Sequence, residues 1–212
     1  MKKIISILFA SLLFSVSAHA GGMIGIKYGT GELEGTKHAY TAGSNDYSAE
    51  TKDVSNEYGA IFAELDLGDS PVALGVEFIP YTATISVDGN SSDSHLELSD
   101  HTTLYAQLSH DIDNGGSLYV KAGLATADIG NVTANYETTS INTKDSSLEG
   151  VMIGVGVQSA ELGPFGMVAR IETTWIDYDD VSVTTTSNGS ATVKKTADAE
   201  LTTFSISLAK TF

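Results

Sequence analysis

Apolar and polar residues alternate with a period of two in eight blocks of about ten residues, and this constrains the chain more than any other feature. Successive side chains of a strand point to opposite faces, so each block reads as a strand with one aliphatic face. In Met23–Gly29, Ile24, Ile26 and Tyr28 share a face, opposite Gly25, Lys27 and Gly29. The pattern recurs in Glu57–Leu67, Val72–Ala83, Thr102–Ile112, Leu118–Thr126, Phe165–Tyr178 and Leu201–Phe212. It is cleanest in Glu149–Gln158, where Val151, Ile153, Val155 and Val157 oppose Gly150, Gly154, Gly156 and Gln158.

The connections alternate as well. Gly68-Asp69-Ser70-Pro71, Asp113-Asn114-Gly115-Gly116 and residues 159–164 carry hairpin-turn chemistry. Long polar stretches, Thr30–Asn56, Thr84–His101, Ala127–Leu148 and Asp179–Glu200, join the other blocks and are expected to be loops. Pro80 cannot donate to a ladder, so the third strand is expected to reach its rim or a bulge there.

Residues 1–20 read as a secretory signal: Lys2 and Lys3, an apolar stretch from Ile4 to Val16, and Ala18-His19-Ala20 as cleavage site. The expected mature chain, 21–212, suits one domain, with none expected after Phe212. No other segment is apolar for about 18 residues, which excludes a helical membrane protein. Cysteine is absent, so neither disulfides nor a thiolate site is available. A net charge of −16, or −18 once Lys2 and Lys3 leave with the signal, repels phosphate and excludes general nucleic-acid binding.

A soluble β-sandwich or barrel would also alternate, but it would fill its interior with large apolar side chains. Here the second face is Gly, Ser, Thr, Tyr and charge, so the aliphatic face belongs outside, against lipid. The outward aromatics Tyr28, Phe78, Phe165, Trp175 and Phe212 fall near strand ends, where rings favour a membrane–water interface. A strand edge unpaired in lipid costs several kcal/mol per amide, so the sheet must close. The reading is an all-β, eight-stranded, antiparallel, up-and-down transmembrane β-barrel with short periplasmic turns and long extracellular loops.

Lys27, Glu64, Glu77, Lys121, Arg170 and Glu172 have inward parity, with Asp66 as a further acid near the periplasmic end. In so narrow a lumen Arg170 reaches Glu64 or Glu77, and Lys27 neighbours Glu64, which predicts a salt-bridge plug. Structural filling is the first reading of that plug and an exchangeable gate the second.

These features together resemble the small bacterial outer-membrane barrels: the transmembrane domain of outer membrane protein A, OmpX and the opacity proteins. The ending Phe204, Ile206, Leu208, Phe212 resembles the C-terminal strand read by their assembly machinery, with Lys210 where an aromatic is often found. The resemblance implies an outer-membrane location, contact with lipid and lipopolysaccharide, and extracellular loops free to bind a ligand it does not specify. It is architectural, so it leaves function open.

Chemistry is sparse. Lipid-A deacylases of this architecture use a His-x-Ser-Asn run, which is absent, and omptin proteases need ten strands. His110 falls near the periplasmic end; His38, His95 and His101 fall in or beside long loops. None is spaced as a general base next to a nucleophile. Asp177, Asp179, Asp180 and Asp93 bring carboxylates to the rim, where solvated surface charge is the first reading and a divalent ion the second. No catalytic residue, cofactor or metal site is expected. The expected role is structural or surface-interacting and non-enzymatic, with a narrow pore for small polar or apolar solutes as the alternative.

Overall fold

A computed structural model describes residues 21–42, 44–80, 83–89, 92–113, 115–134, 140–143, 147–187 and 190–212; the signal expected at 1–20 lies outside them. The strands are β1 (Gly22–Lys37), β2 (Tyr40–Ala42), β3 (Asn45–Tyr47), β4 (Glu50–Asp66), β5 (Val72–Ile79) and β6 (Ala83–Gly89). They continue as β7 (Ser92–Asp111), β8 (Ser117–Ala134), β9 (Ser140–Thr143), β10 (Ser147–Gln158), β11 (Met167–Ser187) and β12 (Ser190–Thr211).

Eight of them form the barrel wall, each paired antiparallel in the cyclic order β1, β4, β5, β7, β8, β10, β11, β12 and back to β1. The seam between β1 and β12 runs from Met23↔Thr211 to Lys37↔Ala197. Phe212 extends it, because its amide donates to the Gly22 carbonyl at 3.0 Å and its carbonyl accepts from the Gly22 amide at 3.1 Å.

The faces follow the alternation. Ile26, Leu124, Val151 and Ile153 are more than half exposed, whereas Lys27, Ala125, Met152 and Gly154 beside them are buried. A soluble protein would not leave so broad a ring of aliphatic side chains in water. Phe165 departs from its expected place on a strand. It lies in a 3₁₀ turn, Gly163–Phe165, because Pro164 suits the first turn of such a helix and Gly166 adopts the left-handed conformation that ends it.

The four long loops are a correction. β1 and β4 run 16 and 17 residues and stay paired to Lys37↔Glu50, and β11 and β12 run 21 and 22 residues to Ser187↔Ser190. Much of each expected loop is therefore β-ladder standing above the apolar band. The β-branched residues Val181, Val183, Thr184, Thr185 and Thr186 favour extended backbone there.

Candidate functional site

The inward charges meet at mid-height. Register puts Lys27 and Arg170 on either side of Ser207, Glu77 opposite Phe62, and Glu64 opposite Gly75. Arg170 holds Glu64 in a two-pronged pair, both N–O distances 2.7 Å, while its Nε donates to Gln158 at 2.8 Å. Lys121 bridges Glu172 at 2.6 Å and Glu64 at 3.4 Å. Lys27 pairs with Glu77 and, at 2.5 Å, with Glu172. Three cations and three carboxylates thus form one buried, internally neutral cluster. Lys27 was expected to pair with its strand neighbour Glu64. It reaches across the lumen instead, since Arg170 and Lys121 already occupy both Glu64 oxygens. Asp66 sits half-buried below them.

Three rings that the charge pattern did not include complete the plug. Tyr105 donates to Glu64 at 2.7 Å and Tyr119 to Glu172 at 3.0 Å. Phe62, 2 % exposed, lies beneath Lys27, Lys121 and Arg170, 5.5–5.9 Å from its centroid. Two inward glycines seat the tyrosines, because a Cβ on Gly75 would collide with the Tyr105 ring, and one on Gly156 with Tyr119. Inward Tyr or Phe at the height of inward charge was the available signal.

Above the plug the interior turns apolar, unlike the wholly polar lumen expected. Leu33, Tyr58, Ile79, Ala127, Tyr178 and Leu201 line a cup open to solvent. His101 lines it too. Expected in a loop, it lies on β7, pointing inward and 9 % exposed. The ladder shifts register between Ser99 and Thr102, and Asp100 takes the left-handed conformation at φ 52°. His101 itself continues the inward alternation of Thr103 and Tyr105, in regular register with β5.

The cup also has a side. β4 and β5 pair only from Ile61↔Phe78 to Asp66↔Ala73. β5 ends at Ile79, Pro80 is exposed, and β6 pairs with β7. Among the described residues, nothing pairs with the β5-facing edge of β4 above Ile61. Glu57, which points away from the lumen and accepts from the Tyr28 hydroxyl at 2.7 Å, nevertheless lines the cup. The lining of the cup therefore reaches this edge of β4, at the level where the apolar band ends.

The outer surface holds the rest. Tyr28, Phe78 and Trp175 lie toward the extracellular end of the band, Phe165 and Phe212 at the periplasmic end. Phe204, Ile206 and Leu208 face outward along β12. His38, Asp180 and Asp198 bring donor atoms within 4.8 Å on the wall above the band, half-exposed or exposed. The His95 side chain lies outside the described residues, and His110 is exposed near the periplasmic turn.

The outer-membrane protein OprG of Pseudomonas aeruginosa superposes with a TM-score of 0.68 at 12% identity, covering 92% of this chain and 97% of its own. The fold is that of the outer-membrane barrels. AlkL, solved in lipid bilayers, matches at 0.55 and 12% identity over 93% of both chains. The outer-membrane protease OmpT of Escherichia coli matches at 0.51 and 9% identity, covering 93% and 99%. No protein-family model and no curated protein matches the sequence. The apolar girdle and this fold place the protein in the bacterial outer membrane, with lipid as its surroundings.

Proposed function

We propose that this barrel moves small apolar solutes sideways, from the extracellular cup through the gap between β4 and β5 into the outer leaflet. The observation that carries the reading is the combination of a sealed floor, an apolar cup and a wall open beside Pro80. A solute entering from outside meets six paired charges below it and a lipid-level opening beside it. Desolvating it in the cup and releasing it to acyl chains follows its partition free energy, so no energy source is required.

This is the pore alternative of the sequence reading, with its axis turned by a right angle. No step needs a nucleophile or base, and the protein is read as non-catalytic. The signal is taken to be cleaved after Ala20, because Gly21 already joins the barrel by accepting the Asp66 amide at 2.9 Å. Phe204, Ile206, Leu208 and Phe212 are read as the strand presented to the assembly machinery, and the five outward aromatics as the interface belts.

Uptake of radiolabelled toluene by cells expressing the protein tests the reading. Wild type should exceed empty-vector cells several-fold, and Ala127→Trp, which fills the cup, should fall to the empty-vector rate while still folding. Equal uptake by wild type and Ala127→Trp would refute it.

A second reading, contact with surface molecules, is favoured by the height of the β11–β12 ladder. Deleting residues 181–197 should then abolish binding to lipopolysaccharide while leaving toluene uptake intact; retained binding would count against it.

A further inference from the structure

The surface of the cup is mostly apolar, and one polar side chain in it stands out. His101 is buried against it, and neither Nδ1 nor Nε2 has a hydrogen-bond partner. Its ring meets Tyr178 edge-on, centroids 6.2 Å apart at 83°. Buried polar groups are nearly always bonded, so two orphan nitrogens on one side chain are an exception in need of an occupant. Two other polar groups at the cup are engaged: Thr203 with Thr174 at 2.6 Å, and Glu57 with Tyr28. His101 points inward in phase with Thr103 and Tyr105, directly after the bulge at Asp100.

We propose that the cup is a binding site for small neutral alcohols and phenols, selected by a hydrogen bond to His101. This rests on the lateral-transfer reading and names its solute class. A neutral imidazole offers one N–H donor and one bare nitrogen acceptor. A hydroxyl is the smallest group that matches either. A hydrocarbon fills the cup but leaves both nitrogens unpaired, and a carboxylate meets Glu57 with no Lys or Arg among the lining residues.

The test uses the refolded full-length barrel in detergent and three probes followed by ¹⁹F NMR: 4-fluorophenol, fluorobenzene and 4-fluorobenzoate. Wild type should bind 4-fluorophenol about tenfold more tightly than fluorobenzene, the discrimination expected of one hydrogen bond. It should not bind 4-fluorobenzoate. His101→Phe keeps the shape of the cup and should bring the phenol down to the fluorobenzene affinity, while His101→Gln, which still donates and accepts, should restore part of the preference. Equal affinities in wild type, an unchanged preference in His101→Phe, or no phenol binding would each overturn the proposal. The transfer reading fails separately: phenol selectivity with toluene uptake indistinguishable from empty-vector cells would leave a binding cup with no passage.

Discussion

Arg170 and Glu64 face each other fork to fork, with both N–O distances 2.7 Å, although β11 and β4 are separated in the wall by β12 and β1. The pair crosses the lumen and ties strands that no backbone ladder joins. Removing one partner leaves the other buried and uncompensated. Arg170→Ala should therefore destabilise the barrel by about 3–5 kcal/mol, read as the urea midpoint in lipid vesicles. Lys37→Ala, which breaks an exposed pair with Glu50, should leave the midpoint unmoved. Replacing both buried ions, as in Arg170→Met with Glu64→Leu, should cost less than Arg170→Ala alone. Equal shifts for Arg170→Ala and Lys37→Ala would discredit the network.

The same cluster closes the axis. Wild-type protein in a planar bilayer should show no steady conductance. The double substitution Lys27→Ala with Glu172→Ala empties one side of the plug and should produce discrete openings. A conducting wild type would show that the charges exchange partners on the timescale of ion passage.

Gly156 and Gly75 are seats for rings. Gly156→Val should displace Tyr119 and lower stability by about 1–3 kcal/mol through overpacking. Tyr119→Phe, which removes only the bond to Glu172, should cost about 1 kcal/mol. Thermal unfolding of the two variants side by side checks the order, and the reverse order would show that the hydroxyl matters more than the seat.

Ile153 faces outward in the middle of the apolar band. Ile153→Arg should cost about 2–4 kcal/mol of folding free energy in vesicles, whereas Thr36→Arg, above the band, should be tolerated. Similar behaviour at the two positions would remove the case for lipid at Ile153.

The β11–β12 ladder above Tyr178 should slow amide exchange across Val181–Thr186, even though these residues lie outside the band. Exchange at random-coil rates would restore the long loop expected from the sequence.

Where the sequence was legible, the cause is local. Consecutive Cβ atoms of a strand alternate, so the outward set Ile24, Ile26, Val151 and Ile153 and the inward set Lys27, Lys121 and Arg170 could be read from parity alone. The polar arms above the band were misjudged as loops because alternation marks a strand only where its two faces meet different media. His101 was misplaced for the same reason, lying at the edge of such an arm.

By itself the sequence determined the number of strands, the face each residue presents and the need for lipid outside, because these follow from period and parity within short segments. Only closure of the barrel decided that Lys27 pairs with Glu77 and Glu172 instead of Glu64, and that His101 faces an apolar cup. It also decided that the β5-facing edge of β4 above Ile61 has no partner among the described residues. Those relationships join residues far apart in the chain, and the distance between them is set by the curvature of the whole sheet.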